Sequence, residues 1–184
     1  NLTAPLPVAD LAAAPRSMES WLGRVRSQRL TDLILLAGAT PTTRGPAGLS
    51  SLSDLPLDGV EVESLVLPLL TVPQCNAYRR GEFVDAVFSL HGLGRFRVHL
   101  HRERGRAAAT IHALPREVPT LEHLNTTHNL EVLTRLPHGL VLIAGQPGAG
   151  TTTTAAALVN TINRRDNRHV VVVDDPPEFE HVHG

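Results

Sequence analysis

The feature that most constrains this chain is the run Gly145-Gln146-Pro147-Gly148-Ala149-Gly150-Thr151-Thr152. It sits between an apolar stretch, Leu140 to Ala144, and a segment that reads as a helix from Thr151 to Arg164. Glycines are required where a backbone curls to aim successive N–H groups at one point, because a side chain there would block the approach. A helix starting at Thr151 adds its positive end. The continuous apolar run before the loop reads as a buried parallel strand. Val170 to Val173, ending in Asp174-Asp175, reads as a second one. Strand, glycine loop, helix and strand in that order form the opening of a parallel α/β domain whose loop cradles an anion.

The run fits the phosphate-loop template of two glycines bracketing four residues, then Lys, then Ser or Thr, except that Thr151 stands in place of the lysine. Glycine-rich turns without a nucleotide are common. The strand leading in, the helix leading out and acids at the C-terminal end of the next strand tip the reading toward a phosphate site. Gly145, Pro147, Gly148, Ala149, Gly150, Thr151, Thr152 and Thr153 would then hold the phosphates, with the Thr152 hydroxyl offered to Mg²⁺. A lysine charge ~4 Å from a phosphate oxygen is worth on the order of 4 kcal/mol at an effective dielectric of 20. Thr151 supplies one hydrogen bond and no charge, so weak nucleotide binding is expected unless an arginine compensates.

Lysine is absent from all 184 residues. The 17 basic side chains are arginines, and against 18 acids they leave a net charge of −1. No overall field steers the chain toward nucleic acid or an acidic membrane. Cys75 is the single cysteine and cannot form an internal disulfide. A reducing, cytoplasmic setting is expected. The longest apolar runs fall far short of the ~20 residues that span a bilayer, so no direct membrane insertion is expected.

Residues 1–16 read as an arm or linker, 17–116 as a small α+β domain with an antiparallel sheet, and 117–184 as the first part of the α/β domain. Ser17 is placed to cap a helix running to about Arg29, with Met18, Trp21, Leu22 and Val25 on one face. A strand over Asp32 to Ala37 and a hairpin at Gly45-Pro46 and Gly48 follow. A helix is expected over Val60 to Leu70, ended or kinked by Pro68. Three strands, Val84 to Leu90, Arg95 to His101 and Ala107 to Leu114, complete the first domain. Leu121 to Leu136 reads as one or two helices.

With these segments in order, the chain resembles the type IV pilus retraction, or twitching motility, ATPases of the PilT-like branch. Thr31-Asp32-Leu33-Ile34-Leu35 with Ala37-Gly38-Ala39-Thr40-Pro41 is similar to that family's opening strand and turn. Phe88-Ser89-Leu90, Gly94-Arg95-Phe96-Arg97-Val98, Leu114-Pro115 and Pro119-Thr120-Leu121-Glu122 resemble its middle. Gly139 to Leu142 leads into the loop as in the family, and Val173-Asp174-Asp175-Pro176-Pro177-Glu178-Phe179-Glu180-His181 resembles its acidic box.

The resemblance implies a PAS-like first domain, a RecA-like P-loop NTPase second domain, and a homo-hexameric ring binding ATP or ADP with Mg²⁺ between the domains. It also implies a pilus inner-membrane platform protein as partner, no nucleic acid, and a cytoplasmic location peripheral to the inner membrane. Thr151, Asp174 where Glu is usual, and His112 where Arg is usual depart from the pattern. The family's Walker B acid and histidine motif fall outside residues 1–184. A catalytically impaired paralogue acting as a structural or regulatory module is the alternative.

Arg95 and Arg97 alternate with Phe96 and Val98 and share one strand face. They form a solvated face or, by the resemblance, reach nucleotide phosphates as arginine fingers. Arg102, Arg104 and Arg106 read as a charged turn. His99 with His101, and His181 with His183, have a spacing that suits a metal given a third ligand, though ten histidines make such pairs common. Asp174, Asp175 and Glu178 are turn acids, or they stand near Mg²⁺ or an attacking water.

Overall fold

Helix α1, Met18–Ser27, begins where the Ser17 hydroxyl accepts the Ser20 N–H at 3.2 Å, and its buried residues are Met18, Trp21, Leu22 and Val25. This stripe recurs at the three- and four-residue spacing of a core-facing helix. The computed structural model describes residues 17–126, 129–146 and 148–182. The arm expected over 1–16, together with Pro147 and His183, lies outside the described residues. The chain divides into two compact units, Asn1–Leu114 and Pro115–Gly184.

The first unit is built on a six-stranded sheet of order β3-β2-β1-β6-β5-β4, antiparallel throughout. Its strands are β1 (Asp32–Leu36), β2 (Thr42–Gly45), β3 (Gly48–Ser51), β4 (Val84–Leu90), β5 (Gly94–Glu103) and β6 (Arg106–Ala113). The tight β2–β3 turn places Gly48 at φ 101°, a conformation that side chains disfavour. Alternate residues face the core, and the ladder keeps them in register. Leu33 pairs with Ile111, Ile111 with Val98, and Val98 with Ala86, all buried.

Two further helices complete the core. Helix α2, Gly59–Val66, carries a reciprocal cap between Asp58 and Glu61. The predicted helix to Leu70 stops earlier. Pro68 stands in a short 3₁₀ turn, Leu67–Leu69, and Thr71 then caps a separate helix α3, Val72–Arg79, that sequence reading did not separate out. The α3 residue Tyr78 is 1% exposed and donates its hydroxyl to Glu63 Oε1 at 2.9 Å. Arg102 lies over the Tyr78 ring at 4.5 Å and reaches Glu63 at 3.2 Å. Arg102 therefore ties β5 to α2 and α3 and is more than part of a charged turn. Arg26 fastens the β4–β5 hairpin in a similar way, covering Phe96 at 4.6 Å and donating to the carbonyls of Leu93 and Arg95.

The second unit centres on α4, Thr151–Arg165, whose buried residues are Ala156, Ala157, Leu158 and Asn160. The helices expected over 121–136 are 3₁₀ turns, Leu121–Leu124 and Leu130–Arg135. Arg165 holds the second of these by donating to Thr134 Oγ1 and to its carbonyl, each at 2.8 Å. Asn160 donates to the Pro119 carbonyl.

The two parallel strands expected at Leu140 to Ala144 and Val170 to Val173 are not formed. Both segments lack ladder partners and lie largely open, Leu140 at 82% and Val173 at 94% exposure. The cause is physical: an apolar run becomes a strand only when a neighbour takes up its N–H and C=O groups, and these two do not pair with each other. Among the described residues no helix is long and apolar enough to cross a membrane.

Candidate functional site

The glycine loop of the second unit is tightly curled. Gly148 and Gly150 have φ of 81° and 89°, both in the left-handed region. The Ala149 N–H closes back onto the Gln146 carbonyl at 2.9 Å. A Cβ placed on Gly145 would lie 2.8 Å from the Ala149 Cβ and 3.3 Å from the Thr151 Cγ2, so only glycine fits there. Gly150 caps α4 and brings no side chain to its first turn, which also contains no acid. The first-turn amides and the helix's positive end therefore meet no carboxylate from their own helix, and this is the condition for receiving an anion.

Of the predicted phosphate ligands, Gly145, Gly148, Ala149, Gly150, Thr151, Thr152 and Thr153 fall on this loop and the first turn of α4. The predicted Pro147 lies outside the described residues. Thr152 is exposed, whereas Thr151 and Thr153 are half-buried.

A hollow of about 400 Å³ opens beside α4, lined by Thr151, Thr152, Val141, Ile143, Val172, Asp174, Phe179 and His181 among others. It joins three predicted site residues, Thr151, Thr152 and Asp174. Asp175 and Glu178 do not line it. The Glu178 N–H donates to Asp174 Oδ2 at 3.3 Å, so the acidic turn is folded over its own first carboxylate. His181 closes the stretch that resembles the acidic box and also forms one of the histidine pairs with metal-ligand spacing. It borders the hollow with Nδ1 buried and unpartnered, and burial lowers its pKa and favours the neutral ring.

Arg95 and Arg97 lie in the first unit, on the sheet face opposite the core, as the alternation of β5 requires. Arg97 makes a two-pronged bond to Asp85, Nε to Oδ1 at 2.8 Å and Nη2 to Oδ2 at 2.7 Å. The guanidinium holds the Asp85 carboxyl below the usual carboxylate range. Asp32, buried in β1, accepts hydrogen bonds from the Thr31 hydroxyl and bonds His112 Nδ1 at 2.9 Å. His99 stacks on Phe83, ring centroids 5.8 Å apart, and meets the His101 ring at a tilt with centroids 5.7 Å apart. Among the described residues no group of three or more His, Cys, Asp or Glu could hold a metal ion.

Comparison with known proteins agrees with this architecture. Residues 116–183 match the family described as type II/IV secretion system protein. The type IV pilus retractation ATPase PilT of Pseudomonas aeruginosa is 30% identical over 154 residues, covering 84% of this chain and 45% of that protein. The type IV pilus ATPase PilU of the same organism is 27% identical over 83% of this chain and 40% of its own length.

Among solved structures, the pilus retraction motor PilT with bound ADP superposes with a TM-score of 0.80 at 27% identity, over 90% of this chain and 49% of that one. The Legionella pneumophila ATPase DotB, at 19% identity and a TM-score of 0.65, shares the fold. The chain thus spans about half the length of the relatives it matches.

The chain is a mixed α/β protein whose residues 116–183 match the type II/IV secretion system protein family. Within that class the chain belongs to the PilT-like type IV pilus ATPase family.

Proposed function

We propose that this chain is a nucleotide-binding part of a type IV pilus motor. Phosphates of ATP or ADP would rest on backbone amides of the Gly145–Thr153 segment, and the Thr152 hydroxyl would be one ligand to the Mg²⁺ that such a nucleotide carries. Asp174, with Asp175 and Glu178 beside it, stands near that metal or a water. Arg95 and Arg97 of the PAS-like first domain serve as charge stabilisers for nucleotide held between domains in a homo-hexameric ring. Arg97 must exchange Asp85 for phosphate to do so. A platform protein at the inner membrane is the partner, reached from the cytoplasm.

One observation carries the reading: the loop is wound so closely that a methyl group on Gly145 would collide with Ala149. A backbone turn this tight at a helix start lets a phosphate approach the backbone amides closely, which supports the reading. The Thr151 substitution favours a second reading, that of a fold-retaining paralogue with impaired hydrolysis. Phosphate release from ATP by the full-length gene product, compared with its Gly145→Val variant, separates the two. Turnover abolished by the substitution supports the motor. Absence of turnover, with nucleotide binding that the substitution removes, supports the paralogue.

A further inference from the structure

A phosphate loop is made of two parts that usually occur together, a backbone nest for the α- and β-phosphates and a lysine that reaches the β- and γ-phosphates. This chain keeps the first and lacks the second. The Thr151 side chain turns its Cγ2 methyl back toward Gly145, within 3.3 Å of where a Cβ on that glycine would stand. At the lysine's position in the sequence, the loop thus presents a methyl group to itself and retains a single hydroxyl.

Among the described residues of the second unit no arginine takes the lysine's place. Its five basic residues are Arg116, Arg135, Arg164, Arg165 and Arg168. Arg164 and Arg165 end α4, ~20 Å along the helix from Thr151 at 1.5 Å per residue. Arg135 pairs with Glu131 at 2.7 Å on the 3₁₀ turn that Arg165 holds, and Arg168 pairs with Asp166 just past the helix. Arg116 lies three residues before Pro119, whose carbonyl is bound by Asn160 near that same end. The unit's positive charge is therefore gathered at the far end of α4. At the near end, Asp174 borders the same hollow as Thr151 and Thr152. A third phosphate group would add negative charge beside a carboxylate, with no arginine of the second unit placed to offset it.

We propose that Thr151 makes this site a nucleoside-diphosphate site: the loop rewards the β-phosphate and gains nothing from the γ-phosphate. The proposal rests on reading Gly145–Thr152 as a phosphate loop and concerns which nucleotide state that loop holds. Position 151 then sets specificity, and the diphosphate is retained against the triphosphate.

Calorimetric titration of the full-length protein with ADP and with ATP, each with Mg²⁺, tests this directly. ADP is expected to bind at least as tightly as ATP. Thr151→Lys is expected to shift the ratio of dissociation constants toward ATP by about tenfold or more. ATP binding tenfold tighter than ADP in the unmodified protein would overturn the inference while leaving the phosphate-loop reading intact, because a cation from elsewhere would then be reaching the third phosphate. If neither nucleotide binds either protein while thermal unfolding shows both folded, the phosphate-loop reading fails and the inference falls with it. The comparison within the unmodified protein decides the question even if the lysine variant does not fold.

Discussion

Tyr78 is the single tyrosine of the chain, so its ionisation can be followed by phenolate absorbance without ambiguity. Its ring is 1% exposed, and its hydroxyl donates to the Glu63 carboxylate. Burial raises its pKa to about 12, with the Glu63 hydrogen bond and charge adding to the shift and Arg102 opposing it. The folded state therefore keeps a proton that the unfolded chain gives up near pH ~10. The stabilisation is fully present below that value and is lost as pH rises toward about 12. Two pKa units at roughly 1.4 kcal/mol each set a ceiling of about 2–3 kcal/mol on the loss. Denaturant unfolding at a series of pH values should show this decline, and Tyr78→Phe should flatten it while lowering stability at neutral pH by about 1.5–3 kcal/mol. A phenolate midpoint at the ordinary ~10, with the fold intact by circular dichroism, would refute the reasoning, because a hydroxyl buried against a carboxylate cannot ionise so easily.

Asp85, held below its usual range by Arg97, contributes stability present above the unfolded pKa and lost as pH falls through the folded one. Asp85→Asn should thus flatten the acid limb of stability below about pH 4 and cost on the order of 1 kcal/mol at neutral pH, read by urea unfolding. Gly145→Ala should weaken nucleotide binding by about tenfold or more in calorimetry, since Ala149 must move, while unfolding of the first unit is unchanged. Arg165→Ala should free the Leu130–Arg135 turn and lower the stability of the second unit, measured as faster amide exchange at Thr134. Trp21→Ala should cost about 3–5 kcal/mol in thermal or chemical unfolding.

What sequence reading captured was local. Ser17 as a cap, the Met18–Val25 stripe, the glycine turn at Gly48 and the alternation from Arg95 to Leu100 each depend on residues within a few positions of one another. The glycine loop was legible for the same reason, because its conformation is demanded by its own residues. Helix α3 went unseen because Pro73 follows closely on Pro68, and a proline in the first turn of a new helix looks the same in sequence as the end of an old one. The strand readings at 140–144 and 170–173 failed for a different reason. Their apolar character is real, but whether such a run becomes a strand depends on a neighbour's hydrogen bonds, which its own side chains cannot encode. Arg102 over Tyr78 and Arg165 at Thr134 join positions 24 and 31 residues apart in sequence, beyond the reach of any periodicity.

The open segments at 140–144 and 170–173 have a practical consequence. Each is a short, flat, β-prone run with a free backbone edge and exposed Leu or Val side chains, the form that templates chain-to-chain pairing. Held in isolation, the second unit should self-associate as concentration rises, whereas the first, closed on its own core, should stay dispersed. Any partner strand that paired with these edges would act as solvent shield and folding partner for the second unit.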